Sequence, residues 1–312
     1  MMFVSLTSAA PAGGLSIEVL AMTYGPLVAA MLAAGLFAGL VAGMFGIGGG
    51  FVVVPALMTL LTVLPGGGDP THTMHVAIGT SLATIFFTSL RSVQAHARRG
   101  AVDWKILKGW LPWVGLGVIA GVVVADRVSG AWLRAIFGLG VGLMGIHFLV
   151  PVLSRFTRSE EKMPTGVTRA GLGSVLGAFC ALLGIGGGTP AVLIMTLNGV
   201  NIHRAVATAA GFGTIIAVPG ALASMALGAQ TPGLPVGSVG YVNLIALASI
   251  TVMSVITAPI GASMAHSLNP KMLKRVFGIY LLVTAAFMLR ASPLAEAAPA
   301  SNGTIQEQPN RT

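Results

Sequence analysis

Apolar positions dominate the chain in runs far longer than a soluble core requires. Such runs cover residues 27–45, 74–90, 107–125, 132–150, 170–183, 204–227, 242–264 and 272–289, with shorter apolar pieces at 51–64 and 190–197. A spanning helix needs about 20 apolar residues, so the long runs predict membrane helices. The two short pieces either cross or re-enter. Between them lie short polar connections: Pro65-Gly66-Gly67-Gly68-Asp69-Pro70 can only be a loop, and a basic stretch holds Arg91, Arg98, Arg99, Lys105 and Lys108. The predicted fold is all-α and polytopic. Its parts are an N-terminal lead (1–26), a first transmembrane repeat (27–152), a cytoplasmic linker (153–169), a second repeat (170–289) and a disordered tail (290–312).

Inside the apolar pattern one motif occurs twice. Gly46-Ile47-Gly48-Gly49-Gly50-Phe51 returns as Gly184-Ile185-Gly186-Gly187-Gly188-Thr189. Glycine loses the most backbone entropy in a helix, so three in a row predict that the helix opens at both places. Opened backbone inside a bilayer is tolerated only where protein buries it or where it lines a polar cavity. A glycine run followed by a new helix turns N–H groups and a positive helix end toward one point, which suits an anion. In the second copy Thr189 reads as the N-cap and Pro190 as the first helical residue. Glycines four apart, such as Gly35, Gly39 and Gly43, are ordinary packing devices in membrane helices; it is the duplication at matching places that favours binding over packing.

The duplication extends further. His75-Val76-Ala77-Ile78-Gly79-Thr80 aligns with His203-Arg204-Ala205-Val206-Ala207-Thr208, Gly100 to Asp103 with Gly240 to Asn243, and Leu133 to Gly138 with Leu273 to Gly278, all in one order. Equivalent loops differ in charge: the one around Arg98 and Arg99 is basic and its counterpart at 229–240 uncharged, whereas the one with His266, Lys271, Lys274 and Arg275 is basic and its counterpart near Asp126 and Arg127 neutral in sum. With the linker cytoplasmic, the positive-inside rule then gives two five-segment halves in inverted topology, both termini outside the cytoplasm.

Composition narrows the classes. In 312 residues 55% are hydrophobic and only 8% charged, which leaves no room for a separate soluble domain. The formal charge of +9 sits in loops between spans, an orientation signal and not a nucleic-acid face. A single cysteine, Cys180, excludes a disulfide framework. All eight carboxylates, Glu18, Asp69, Asp103, Asp126, Glu160, Glu161, Glu296 and Glu307, map to loops or tails, which disfavours cation pumping through a buried acid. No paired acids, HExxH, Gly-x-Ser-x-Gly or metal-ligand cluster is visible, so no enzyme chemistry, metal or cofactor is expected.

What surrounds the glycine loops is neutral and rich in donors. The expected substrate-binding set is Gly46, Gly48, Gly49, Gly50, Phe51, Thr80, Ser81, Gly184, Gly186, Gly187, Gly188, Thr189 and Thr208, because amides and hydroxyls hold an anion's oxygens without a buried permanent charge. His75, His203, Arg204 and His147 are candidates for gating or proton relay, with a place in the interfacial layer as the alternative for His75 and His203 and a topology anchor as that for Arg204. Bonding of each hydroxyl to its own helix, and packing of His147, are the plainer alternatives. Trp104, Trp110, Trp113 and Trp132 read as interfacial belts.

Gly46-Ile-Gly-Gly-Gly50 with Val54-Pro55-Ala56-Leu57, then Ala77-Ile78-Gly79-Thr80-Ser81-Leu82, His96 and Gly100-Ala-Val-Asp-Trp104, followed by a degenerate second copy, resembles the TauE/SafE family of sulfite exporters. The likeness covers residues 27–289. It implies a transporter that exports sulfite, an organosulfonate or a related small anion, with the two glycine loops and Thr80-Ser81 lining the site. The second half departs from the pattern: Ala209 follows Thr208 where serine is expected, and Pro190 directly follows the loop. An anion channel, and an intramembrane enzyme or subunit acting on a sulfur compound, are the rival readings.

Overall fold

The computed structural model of the protein describes residues 17–45, 48–63, 67–150, 160–267, 270–290 and 292. Gly46, the first part of the linker (153–159) and nearly all of the tail lie outside the described residues. Within the described residues the chain forms α1 (Ile17–Phe45), α2 (Gly50–Val63), α3 (Thr73–Arg98), α4 (Trp104–Arg127), α5 (Gly130–Leu149), α6 (Gly166–Leu183), α7 (Gly188–Leu197), α8 (Ile202–Leu227), α9 (Leu244–Ser267) and α10 (Pro270–Arg290). Each coincides with an apolar run, extended at its ends by polar turns. One feature has no counterpart in the apolar pattern: Ser238–Val239 and Val242–Asn243 form a two-stranded antiparallel hairpin before α9, where the apolar run suggests that the helix has already begun.

Seven of these helices are long and apolar enough to cross a membrane: α1, α3, α4, α5, α6, α8 and α9. At about 1.5 Å per residue, α2 with 14 residues and α7 with 10 reach only partway through a hydrocarbon layer of about 30 Å.

Both short helices turn back. The Lys162 amide, just before α6, donates to the carbonyl of Asn198 at the end of α7 (3.0 Å), so α6 and α7 begin and finish at one end of the bundle. Likewise Leu27 near the start of α1 and Leu61 near the end of α2 line one crevice, together with Pro235 and Asn243 at the opposite end. Each glycine motif is therefore the tip of a helical hairpin.

Close helix approach depends on small residues. α1 runs parallel to α9, with Gly35 against Ile250, Gly39 against Ser254 and Thr257, and Gly261 against Leu40; Ser254 Oγ donates to the Gly35 carbonyl (2.9 Å) and Thr257 Oγ1 to that of Leu36 (3.0 Å). α4 runs parallel to α6 in the same manner, through Gly117 against Ser174 and Gly121 against Ala178. α3 and α8 run antiparallel, with Gly79 beside Ser224 at one end and Ser89 beside Gly213 further along, and so do α5 and α10, where Gly138 meets Leu289 and Gly145 meets Gly278. Without aqueous solvent between helices, association rests on van der Waals contact and interhelical hydrogen bonds, and small side chains permit both.

A Cβ on Gly121 would stand 2.7 Å from the Ala178 carbonyl oxygen, which real structures do not accommodate. Gly121→Leu should therefore push α4 from α6 and cost about 1–3 kcal/mol or more, read as a lowered unfolding temperature of detergent-solubilised protein. Gly115→Leu, at a position with nothing nearby, should leave that temperature unchanged.

Candidate functional site

The helix opens at both glycine motifs, and the two openings meet. α6 ends in a Schellman turn, in which Gly184 is left-handed (φ 61°), its amide donates to Ala181, and the Ile185 amide donates to Cys180 (2.9 Å). Gly187 is again left-handed (φ 70°) and starts α7; in the other hairpin Gly48 and Gly49 both have φ 77° before α2 starts at Gly50. A Cβ on Gly50 would lie 2.5 Å from the Gly184 carbonyl oxygen and 3.0 Å from Ile185 Cα, so the first turn of α2 lies directly against the second loop. Residues 183–190 are all buried, as are Gly49, Gly50 and Phe51. The first amides of α2 and α7, which have no intrahelical acceptors, thus converge in the interior of the bundle.

Thr189 differs from its expected role. Gly187 is the N-cap, so α7 begins one residue before Thr189, and Pro190 falls inside the first turn. The Thr189 side chain is consequently not used as a cap. It is 8% exposed, and its hydroxyl has no hydrogen-bond partner among the described residues.

Ser81 reaches the second loop, whereas Thr80 and Thr208 accept amides from other segments. Ser81 Oγ donates to the Gly184 carbonyl (2.8 Å), fixing the second loop to α3. Thr80 Oγ1 accepts the Asn243 amide (2.9 Å) and Thr208 Oγ1 accepts the Asp103 amide (3.0 Å). Asn243 and Asp103 are the residues just before α9 and α4, and each uses its side-chain oxygen to hold the following helix: Asp103 Oδ1 accepts from Lys105 and Ile106, and Asn243 Oδ1 from Ala246 (2.8 Å). The aligned threonines therefore make matching braces to the aligned cap residues. Phe51 is a packing residue, edge-on to Phe277, with its carbonyl accepting from Tyr280 Oη (3.3 Å). Ser89 and Thr214, which carry no motif, place their hydroxyls 3.2 Å apart beside Gly213, close to the Gly186 carbonyl.

At the end of the bundle that carries the linker, Arg204 bonds to Asp103 through Nε (3.1 Å) and Nη2, and to Glu161 through Nη1 (2.9 Å) and Nη2 (2.8 Å). Burial pulls the Asp103 carboxyl upward, but the Ile106 amide, the Arg204 guanidinium and the Lys105 amide outweigh it and hold the group below its ordinary value. Its contribution is thus complete above the unfolded value near 3.9 and is lost only as pH falls through the lower folded value. Asp103 therefore keeps its charge between pH 5 and 8. His203, next to Arg204, is exposed, and its amide is capped by Asn201 (3.0 Å).

At the opposite end His75 is 8% exposed, and its Nε2 lies 3.1 Å from the carbonyls of both Ala125 and Val128. Tyr241 Oη donates to Asp126 Oδ1 (3.0 Å). Asp126 is in the last turn of α4, and Glu18 is in α1, so these two carboxylates are helical and not in loops. His147 falls in the last turn of α5 and not deep within it. Trp110 is a core residue, edge-on to Phe212, while Trp104 and Trp132 are exposed as expected.

Residues 31–288 match the family described as sulfite exporter TauE/SafE. The chain belongs to this family. A probable membrane transporter protein of Haemophilus influenzae is 31% identical to this TauE/SafE chain over 257 residues, 82% of it and 96% of the relative. Another, from Methanocaldococcus jannaschii, is 26% identical over 268 residues, 84% and 96% of the two chains. No solved structure matches. Family and apolar helices together make this an integral membrane protein of a transporter family.

Thr80→Val and Thr208→Val keep the side-chain shape but leave a cap amide without its acceptor. Each should lower stability by about 1–3 kcal/mol in thermal unfolding, and to a similar extent.

Proposed function

We propose that the protein is a secondary transporter that exports sulfite or a related small sulfur oxyanion or organosulfonate across the inner membrane by alternating access. The anion binds between the two glycine hairpins, received by the amides that open α2 and α7 and by the Thr189 hydroxyl. The observation that carries this reading is the meeting of two opened loops in the interior beside a buried hydroxyl without a partner. A tetrahedral or pyramidal oxyanion supplies several acceptor oxygens, which amides and helix N-termini satisfy without a buried counter-charge. Ser81 supports the second loop, to which it gives its hydroxyl proton, whereas Thr80 and Thr208 brace the cap residues through a lone pair and keep their hydroxyl protons to donate to the anion.

Repeats spanning 27–152 and 170–289 stand in inverted relation, with both termini on the side away from the linker. Supporting this, the aligned helices α3 and α8 run antiparallel, as do α5 and α10, and α1 meets α9 as α6 meets α4. A carrier accounts better than an open channel for closure at both ends, by the Arg204 ion pairs at one and the Tyr241 to Asp126 bond at the other. Rocking of one bundle against the other would break one closure at a time.

The test is flux into liposomes of sulfite, methanesulfonate, sulfate and a panel of cations. Saturable anion flux, stimulated by anion on the far side, is expected; a cation preference or an unsaturable conductance would sink the proposal. Thr189→Val should reduce anion flux at least tenfold with an unchanged unfolding temperature, since no protein partner is lost. Gly49→Leu and Gly187→Leu should abolish flux with the protein still inserted. Full flux in all three variants removes the site assignment.

A further inference from the structure

The crevice at the end opposite the linker contains a polar atom with no assigned purpose. It is about 270 Å³ including its open mouth and is lined by His75 and Ile78 of α3, Val122, Ala125 and Asp126 of α4, Leu133 of α5, Ala181 of α6, Ser224 of α8 and Tyr241 of the hairpin. Carbonyl oxygens only accept, so the contacts of His75 Nε2 with Ala125 and Val128 require the proton to be on Nε2. Nδ1 of the neutral ring is then a bare acceptor. It is buried, in a residue 8% exposed, and has no partner among the described residues. The Tyr241 ring lies 5.2 Å from the His75 ring, and Tyr241 Oη is bound to Asp126.

We infer that Nδ1 of His75 is a proton-binding site that latches this end of the transporter. The titratable and charged groups at this end of the elements around it are His72, just before α3, Asp126 and Arg127 of α4, Arg134 of α5 and Tyr241. A proton taken from water onto Nδ1 makes an imidazolium whose Nε2–H remains on the final carbonyls of α4, where a helix favours positive charge, and whose new charge faces the Asp126 carboxylate. Both effects bind α3, the end of α4 and the hairpin that leads into α9. Ile78, two residues below Thr80, joins the crevice to the second glycine loop, for its backbone borders Gly184 (3.1 Å from a Cβ built there). Release of the proton therefore loosens the end of the bundle through which a substrate on that loop would leave. At the other end Asp103 is held below its ordinary value and keeps its charge across this range. Cation affinity, and not anion docking, fits the crevice because a carboxylate lines it.

This role rests on the transport reading, and the tests separate the two. Side-chain ¹⁵N NMR of histidine-labelled protein in nanodiscs should show His75 Nδ1 gaining a proton between pH 5 and 9, whether or not any anion is carried; an Nδ1 that stays unprotonated throughout overturns the site. In proteoliposomes, flux of methanesulfonate, whose own charge is constant over this range, should fall severalfold from pH 8 to pH 5.5. His75→Gln retains an amide donor for the α4 carbonyls but takes up no proton, and should flatten that profile. A profile unchanged in H75Q overturns the inference. Should H75Q not fold, Tyr241→Phe releases Asp126 to pair with the imidazolium and should move the midpoint to higher pH; an unmoved midpoint counts equally against it. If methanesulfonate does not move at all but His75 titrates, the substrate proposal fails and the proton site stands.

Discussion

Contact between Gly50 and the Gly184 carbonyl holds the two hairpins together, and a single added carbon atom would prevent it. Hydrocarbon imposes the underlying constraint: every opened amide and carbonyl must find a protein partner or a cargo. The structure meets part of this demand internally. A Schellman turn uses two carbonyls of α6, and Ser81 takes that of Gly184. The first turn of α2 lies against the loop that leads into α7, in the interior of the bundle, where helix N-termini would favour a transported anion.

The long helices serve to position this meeting point. α3 and α8 cross in its immediate surroundings, and the glycine contacts of α1 with α9 and of α4 with α6 bring the outer elements close enough to enclose it. Thr80 and Thr208 add matching braces from these central helices to the cap residues before α9 and α4. Each brace ties one half of the chain to the other, so the loops cannot shift without moving helices that reach both ends of the bundle.

Such coupling is what the proposed alternating exposure would need. At the linker end the contacts are the ion pairs of Arg204 with Asp103 and Glu161, whereas at the other they join a histidine, a tyrosine and an aspartate. The pair with Glu161 is exposed on both sides, and exposed ion pairs contribute little stability each, so it would break and re-form at little cost in the proposed cycle.

Much of this was legible in the sequence because membrane helices announce themselves by length and by the absence of charge. All ten helices follow apolar runs, and three glycines in succession cannot sustain a helix, which made both openings readable from Gly48-Gly49 and Gly187-Gly188. Sequence periodicity carries no information on which partner a hydroxyl meets. Thr80 and Thr208 read as ligands, yet their oxygens accept amides 163 and 105 residues away; the aligned pair Asp103 and Asn243 held the only hint. Asp126 seemed to lie in a loop because a helix end inside an apolar run has no local marker. Ser89 bears no motif, and Tyr241 stands in the repeated motif opposite Ala101, which gives it no polar counterpart. The sequence alone determined the membrane class, the helices and the places where they break, since these depend on local solvation and backbone entropy. Tertiary structure alone decided which polar atoms are consumed by bracing and which, like Thr189 Oγ1 and His75 Nδ1, are left over, because that depends on distances between segments far apart in the chain.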